Sequence, residues 1–257
     1  MADPLVLSSV RGSTATLTLN RPARHNSLVP GLLEDLSEAI GSLDTDDLCC
    51  LVLAANGRSF STGGDVAGFA DLPRGQRRIY ADQLLGLLNR VILQLIDFPV
   101  PVIARVQGPV TGGSCALVFA ADLAAFGPRA FVQSYYVDVG FAPDGGWTAL
   151  LPERIGVTRA AAIQMLNRRI GAEEALALGL ATRLAAEDDL DATIADWTTM
   201  LNAKVRSSLV ATRALLTPPA RRLALADALE RERQRFLSLI ETDETEAGMA
   251  RFLGRAA

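Results

Sequence analysis

Buried strands alternate with amphipathic helices along the first half of the chain, and this order constrains the fold more than any other feature of the sequence. Continuous or alternating apolar runs predict the strands, and apolar residues spaced three and four apart predict the helices. The predicted elements are a strand over 14–20, a helix over 28–43, a strand over 48–54, a helix over 76–97, a strand over 100–106 and a helix from Cys115 to about Ala125. This alternation favours an α/β fold in which helices cover a sheet.

The last third of the chain has a different pattern. Strand signals fade after residue 157, and helices are predicted over 158–168, 172–178, 188–203, 206–216 and 220–240. Thr242 is the predicted N-cap of a final helix whose acidic residues come first and basic residues last, as the helix dipole favours. We therefore expect a core over 1–197 and a helical region over 198–257 that packs on this core or on a neighbouring chain.

Composition argues against several classes of partner. The chain has 257 residues, of which 49% are hydrophobic, and a net charge of −4, so no basic field is present to attract nucleic acid. Its three cysteines, two of them adjacent, make a poor disulfide framework and favour a cytoplasmic setting. The N-terminal residues lack the pattern of a signal peptide, and no uncharged apolar run reaches the roughly 18 residues of a membrane span. We expect neither nucleic acid nor a membrane as a partner.

The single histidine, His25, limits the chemistry further. Zinc sites built from several histidines are impossible, and no C-x-x-C pair replaces them. A Ser-His-Asp triad would need His25 itself, and no G-x-S-x-G elbow is present. The glycine patterns of nucleotide-binding folds are also absent. The sequence therefore predicts no metal site and no bound cofactor.

Two loops that contain a Gly-Gly pair share a layout. They are SFSTGGDVAGF over 59–69 and GPVTGGSCALVFAAD over 108–122, and each lies between a buried strand and an apolar or helical segment. Peptide N–H groups at the start of a helix lack an internal acceptor and lie at the positive end of its dipole. If the two loops converged, they would form an oxyanion hole from the backbone alone. The alternative is that each loop is an ordinary tight turn.

A third loop, VGFAPDGGWTALLP over 139–152, places Asp144 between apolar residues. A surface turn would explain the Pro-Asp-Gly triplet. An acid beside a reacting carbon would also explain it, and an apolar pocket would raise its pKa toward neutrality. The residues of this loop leave both interpretations open.

Taken in order, these segments resemble the crotonase, or enoyl-CoA hydratase/isomerase, superfamily nearly end to end. The resemblance implies a crotonase-type ββα spiral core with a C-terminal helical trimerisation region. It also implies an acyl-CoA substrate, with CoA entering as part of the substrate, and a homotrimer or hexamer. The matching segments are LTLNRPARHNSLVPGLLEDL (17–36), NGRSFSTGGDV (56–66), VQGPVTGGSCALVFAADL (106–123), GFAPDGGWTALLPERIG (140–156) and RRIGAEEALALGLATRL (168–184).

The resemblance also implies a reaction mechanism. The thioester oxygen would be held by the N–H groups of Gly64 and Gly113. Hydratases of the family use two glutamates, and those positions hold Ala116 and Tyr136 here. The position of Asp144 carries the working carboxylate of several isomerases and of an aromatic acyl-CoA dehalogenase. We expect double-bond isomerisation with Asp144 as the proton shuttle. Hydration, thioester hydrolysis, dehalogenation and a catalytically silent acyl-CoA-binding paralogue remain alternatives.

Further residues are expected to hold the substrate. Arg24 and Arg58 would bind the phosphates of CoA, because arginine pairs well with phosphate. The tail FLGR would bring Phe252 and Arg255 to the CoA of a neighbouring chain. The nominated contacts to the acyl group are Phe69, Leu84 and Trp147, with Tyr136 as a hydrogen-bond donor.

Overall fold

The computed structural model describes residues 4–255, which contain nine strands and twelve α-helices. The strands are β1 (Val6–Arg11), β2 (Thr14–Leu19), β3 (Cys50–Ala55), β4 (Val102–Val106), β5 (Val110–Thr111), β6 (Leu123–Phe126), β7 (Phe131–Gln133), β8 (Ile170–Gly171) and β9 (Arg183–Leu184). The helices are α1 (Pro30–Gly41), α2 (Val66–Ala70), α3 (Gln76–Asp97), α4 (Cys115–Phe119), α5 (Tyr136–Val139), α6 (Leu150–Ile155), α7 (Val157–Met165), α8 (Ala172–Ala177), α9 (Leu190–Asn202), α10 (Arg206–Leu216), α11 (Pro219–Leu239) and α12 (Asp243–Phe252).

A six-stranded sheet in the order β1-β2-β3-β4-β6-β9 forms the centre of the molecule. β1 is antiparallel to β2, and the other neighbours are parallel. Almost every residue of β3 and β4 is buried, because helices cover both faces of a parallel sheet. A smaller sheet in the order β5-β7-β8 lies beside the second Gly-Gly loop. The α/β class expected from the sequence is confirmed.

Two helices have the bounds predicted for them, α3 over 76–97 and α10 over 206–216. The predicted helix from Cys115 to about Ala125 is correct only for its first part. α4 ends at Phe119, and Leu123–Phe126 form β6, which pairs in parallel with β4. A short apolar run does not distinguish a buried helix from a buried strand. Two short strands, β8 and β9, also lie beyond residue 157, where the sequence predicted only helices.

By length and composition, α3 is the one helix among the described residues that could cross a membrane. Half of its apolar window is buried inside the molecule. Leu84, Leu88, Val91 and Leu95 are among the buried residues on one side of the helix, and α3 packs against α1 and α11. This pattern is typical of a helix that packs in a protein core.

The C-terminal helices share the core of the molecule. α9 runs across the expected boundary between 1–197 and 198–257. Residues 1–3 of the first region and 256–257 of the second lie outside the described range. Buried residues of α11 belong to the main hydrophobic cluster, and α12 packs against α2 and α5. The predicted N-cap of α12 is present, because the side chain of Thr242 accepts a hydrogen bond from the backbone N–H of Thr245 at 3.3 Å. The C-terminal region can therefore contribute residues to a site in the core.

Candidate active site

A cavity of about 1030 Å³ lies where the two Gly-Gly loops meet α3, α5, α11 and α12. Two of the residues nominated from the sequence, Trp147 and Arg255, do not line it. The nominated residues that do line it are Arg24, Arg58, Gly64, Phe69, Leu84, Gly113, Tyr136, Asp144 and Phe252. The structure therefore gathers most of the nominated residues around one space.

The two Gly-Gly loops converge through direct backbone contact. A Cβ atom on Gly63 would lie only 2.6 Å from the carbonyl oxygen of Thr111, and Gly63 has a φ of +76°. An isolated β-bridge joins Ser61 to Val110, and the hydroxyl of Ser114 donates to the carbonyl oxygen of Ser61 at 3.0 Å. Only glycine allows so close an approach in this conformation. The convergence required for an oxyanion hole is present.

Gly64 and Gly113 both line the cavity. Within the described part of the chain, the N–H of Gly64 donates to no acceptor. Gly113 lies in the short 3-10 helix Gly112–Ser114, and the first N–H groups of a helix have no internal acceptor. The N–H groups of Gly64 and Gly113 are therefore the candidate donors of an oxyanion hole.

Asp144 lies beside Gly113. It is 7% exposed, and the hydroxyl of Tyr136 donates to its Oδ1 at 2.7 Å. A Cβ atom on Gly113 would be 2.5 Å from the same oxygen, so the carboxyl group packs against the α-carbon of Gly113. Burial raises the pKa of Asp144 to about 7, the charge of Glu232 also raises this pKa, and the hydrogen bond from Tyr136 opposes both effects. Asp144 can therefore exchange a proton at neutral pH.

Tyr136 supports Asp144 from the first turn of α5. Burial and the nearby charge of Asp144 raise the pKa of Tyr136 well above its ordinary value, so the phenol stays protonated. Its hydroxyl also lies 3.2 Å from the backbone oxygen of Asp144. Tyr136 therefore acts here as a hydrogen-bond donor that orients the carboxyl group.

Trp147 occupies a different place from the one predicted. Its side chain is fully buried behind the second Gly-Gly loop, and its indole N–H donates to the carbonyl oxygen of Gly112 at 2.8 Å. Its ring packs edge-on against Phe119 and Tyr136, with centroids 5.3 and 6.3 Å away. Trp147 therefore supports the loop of Gly113 and is not a wall of the cavity.

The buried end of the cavity is apolar. Phe69, Phe141 and Phe236, here called the aromatic wall, have ring centroids 4.7 to 5.8 Å apart. Leu84 and Leu88 of α3 line the same space. Sequence reasoning did not single out Phe236, because nothing in the local pattern of its long helix shows that this face meets the cavity.

Arginines surround the exposed end of the cavity. Arg24 forms an ion pair with Asp65 at 3.1 Å, and Arg58 donates to the ring of His25 at 3.0 Å. The sequence did not nominate Arg129 or Arg169, which also line the cavity. The guanidinium of Arg169 lies 3.8 Å from the centroid of the Phe131 ring. This end of the cavity thus carries positive charge suited to an anionic group.

The C-terminal tail reaches the cavity of its own chain. Phe252 lines this cavity and packs edge-on against Tyr135 at 5.7 Å. Arg255 forms an ion pair with Asp71 at 2.6 Å and lies outside the lining. In the single chain, Phe252 therefore makes its contact within the same molecule. The predicted contact of both residues with a neighbouring chain stays a prediction.

Glu232 is a buried acid that the sequence analysis missed. It lies on α11, is 5% exposed, and accepts hydrogen bonds from the loop that follows Asp144. Separated from this loop by more than 80 residues, it gives no local signal in the sequence. In residues 4–255 no group of three or more His, Cys, Asp or Glu side chains could hold a metal ion.

The fold and the cavity define an α/β protein with one buried carboxyl group beside two converging Gly-Gly loops. The sequence model of the enoyl-CoA hydratase/isomerase family matches residues 9–257, and the chain belongs to this family. The resemblance to the crotonase superfamily seen in the sequence is confirmed.

Similar proteins carry both hydratase and isomerase names. A Mycobacterium leprae protein named probable enoyl-CoA hydratase echA12 is 34% identical over 74% of this chain and 66% of its own length. The trans-2-decenoyl-[acyl-carrier-protein] isomerase of Streptococcus mutans is 33% identical over 72% of this chain and 71% of its own length. The 1,2-epoxyphenylacetyl-CoA isomerase of Escherichia coli is 30% identical over 72% of this chain and 71% of its own length. The matched stretch thus spans about two thirds of these relatives.

Solved structures support the fold over nearly the whole chain. An enoyl-CoA hydratase from Bacillus halodurans matches with a TM-score of 0.90 at 23% identity, over 96% of this chain and 99% of that chain. An enoyl-CoA hydratase from Mycobacterium avium matches with a TM-score of 0.85 at 28% identity, over 99% and 98% of the two chains. The crotonase-type core expected from the sequence is confirmed.

Proposed function

We propose that this chain is an enoyl-CoA isomerase that moves a carbon–carbon double bond through a thioester enolate, with Asp144 as the proton shuttle. The observation that carries the proposal is the place of Asp144, which is buried beside Gly113 at the apolar end of the cavity. The other acid that lines the cavity, Asp65, is paired with Arg24. Asp144 is thus the carboxyl group available to a substrate carbon.

The proposed reaction begins with the thioester oxygen between the N–H groups of Gly64 and Gly113. Each such donor typically stabilises the developing oxyanion by ~3 kcal/mol. The carboxylate of Asp144 takes a proton from one carbon of the allylic system, and electrons move into the thioester oxygen. Asp144 then returns the proton to the other end of the same system. No atom is gained or lost, so one base is sufficient.

Tyr136 leaves one oxygen of Asp144 free for this reaction. The phenol donates to Oδ1, and in the described residues Oδ2 has no hydrogen-bond partner. Conventional hydration in this family uses two glutamates, whose positions hold Ala116 and Tyr136 here. Ala116 offers no carboxyl group, and the pKa of Tyr136 is too high for a base. These observations favour isomerisation over hydration.

CoA is proposed to lie along the arginine-lined end of the cavity. Arg24 and Arg58 would bind its phosphates, because both line the cavity and both are exposed. The acyl group would extend past Asp144 toward the aromatic wall. The apolar lining supports a hydrocarbon acyl group, whose burial is favourable.

The reaction can be tested with a panel of 2-enoyl- and 3-enoyl-CoA esters in deuterated water, with products followed by mass spectrometry. A shifted double bond that carries deuterium would establish the isomerase. Gain of one water molecule would instead identify a hydratase, and release of free CoA or halide would identify hydrolysis or dehalogenation. Tight CoA binding without any turnover would support a silent acyl-CoA-binding paralogue.

Phe236→Ala should shift the substrate preference toward longer acyl chains, because it removes one ring of the aromatic wall. The change should also lower the free energy of unfolding by about 3–5 kcal/mol. The measurement is therefore the ratio of kcat/KM for a long and a short substrate in one preparation. Phe126→Ala is the matched control, since Phe126 is equally buried but does not line the cavity. An unchanged ratio in Phe236→Ala would remove this ring from the acyl site.

We also propose a cytoplasmic homotrimer or hexamer whose contacts come from the C-terminal helices. Large apolar side chains that are exposed in a single chain mark interfaces when they form a patch. Native mass spectrometry should find three or six chains, and a monomer at micromolar concentration would contradict the proposal. The apolar side chains that support it are 57% to 81% exposed in the single chain and are Met200, Val205, Leu215, Leu216 and Leu223.

A further inference from the structure

Glu232 makes hydrogen bonds to the loop that carries the proposed base. Its Oε2 accepts from the backbone N–H of Gly146 at 2.7 Å. Its Oε1 accepts from the backbone N–H of Thr148 at 2.7 Å and from the hydroxyl of Thr148 at 2.6 Å. Burial raises the pKa of Glu232, and these hydrogen bonds oppose that effect. Each of these three partners is a hydrogen-bond donor, and an ionised carboxylate can accept from all of them. The contacts therefore fit the ionised form of Glu232.

The loop needs such a restraint because of its glycines. Gly145 and Gly146 follow Asp144 directly and have φ values of +63° and +81°. Glycine has no Cβ atom, so its backbone dihedral angles are less restricted than those of any other residue, and it adopts positive φ readily. Gly145 packs closely against Gly113, because a Cβ atom on Gly145 would lie 2.6 Å from the carbonyl oxygen of Gly113. A small rotation of the loop would therefore change the distance between Asp144 and the N–H of Gly113. Glu232 ties this pair of glycines to the long helix α11.

Few titratable groups face Asp144 in the described residues. They are Tyr136 from α5, Cys115 from α4 and Glu232 from α11. Burial keeps the pKa of Tyr136 and of Cys115 well above the ordinary values, so both are neutral near pH 7. Glu232 is therefore the charged group of this set. Its negative charge makes ionisation of Asp144 less favourable.

We propose that Glu232 is a positioning residue for Asp144, which holds the loop of the base through Gly146 and Thr148 and places a negative charge against that loop. This proposal rests on the proposed function of Asp144. If Glu232 contributed only to stability, it would cap the turn before α6 and would not affect the proton exchange of Asp144.

The test is the pH dependence of kcat/KM. In the wild type, activity should rise with pH through an apparent pKa near 7, because the carboxylate form of Asp144 is the base. Glu232→Gln removes the charge and should move this rise to lower pH. The variant should also lower kcat more than it changes KM, since an amide cannot accept from all three donors.

Glu232→Asp separates position from charge. It keeps the negative charge but withdraws the carboxyl group from the loop, so kcat should fall while the rise in activity stays near pH 7. Glu230→Gln is the matched control, because Glu230 is an exposed acid on the same helix and pairs with Arg233. It should change neither the pH profile nor kcat. Thr148→Val removes the hydrogen bond from the Thr148 hydroxyl to Glu232. Because Thr148 is exposed, this variant should fold even if Glu232→Gln does not. It should lower kcat without moving the pH profile of kcat/KM.

An infrared titration distinguishes this proposal from the proposed function. The difference spectrum between wild type and Asp144→Asn isolates the Asp144 carboxyl band and needs no turnover. In the Glu232→Gln background, the midpoint of this band should lie at lower pH than in the protein with Glu232. An unmoved midpoint together with an unmoved pH profile would overturn the role of Glu232. If the midpoint moves but the protein turns over no ester, the effect of Glu232 on Asp144 would stand, and only the isomerase reaction would be rejected.

Discussion

Asp144→Asn should lower kcat by about 10³-fold with little change in KM, because an amide cannot accept the substrate proton. Asparagine keeps the shape of aspartate, and its Oδ1 can still accept the hydrogen bond from Tyr136. The packing against Gly113 is preserved as well. The loss should therefore report proton transfer and not a change in the cavity. Steady-state kinetics with the isomerised ester measures it.

The same substitution should make the protein more stable at high pH. In the folded chain the pKa of Asp144 is about 7, above the ordinary value of 3.8, so the folded state binds the proton more tightly than the unfolded state. The wild type therefore loses stability as pH rises from about 4 to about 7. Asparagine has no charge to bury, so the variant should be more stable above this range by on the order of 4 kcal/mol and equal to wild type below it. Denaturant unfolding at several pH values gives the comparison.

Asp196→Asn is the control for both effects, because Asp196 is an exposed acid on α9 and does not line the cavity. It should leave kcat and the pH dependence of stability unchanged. If Asp144→Asn retained full activity, Asp144 would not be the base. If its stability followed the wild type at every pH, the carboxyl group would not be buried in its ionised form.

Gly113→Ala should lower kcat/KM by about 10²-fold or more, which is the size expected when one donor of an oxyanion hole is displaced. The added methyl group would lie 2.5 Å from Oδ1 of Asp144 and 3.0 Å from a methyl carbon of Leu88. Because φ of Gly113 is not positive, alanine suits the backbone, and the effect comes from this contact. The backbone of Gly113 and the carboxyl group of Asp144 must therefore separate to make room for the methyl group.

Gly86→Ala is the matched control on α3. A methyl group there would meet no atom within 4 Å, and alanine favours a helix more than glycine does by about 1 kcal/mol. This variant should keep wild-type kcat/KM and gain slightly in thermal stability. Equal activity in Gly113→Ala and Gly86→Ala would contradict the close packing of Asp144 against Gly113.

Patterns among neighbouring residues were enough to locate most of the proposed chemistry. Gly64, Gly113 and Asp144 each lie in a loop whose glycines and apolar neighbours are adjacent in the chain. The bounds of α3 followed from an apolar periodicity that extends over 22 residues. Apolar runs of four or five residues were less informative, and Leu123–Phe126 form a strand because β4 is available to pair with them.

The contacts between distant segments could not be predicted in this way. Trp147 and Phe236 are both aromatic residues in apolar surroundings, yet Trp147 supports a loop and Phe236 lines the cavity. Glu232 was predicted only as part of a helix. Each assignment depends on which face of an element meets the core, and that face is set by packing between segments far apart in the chain.

The sequence alone therefore determined the α/β class, the family and the loops that carry Asp144, Gly64 and Gly113, because these features depend on neighbours along the chain. The tertiary structure decided which residues surround Asp144, how far its pKa is raised and which helix contacts its loop. Burial and charge act through space, so the pKa of Asp144 depends on Tyr136 eight residues earlier and on Glu232 far along the chain. Only the folded chain brings these groups together.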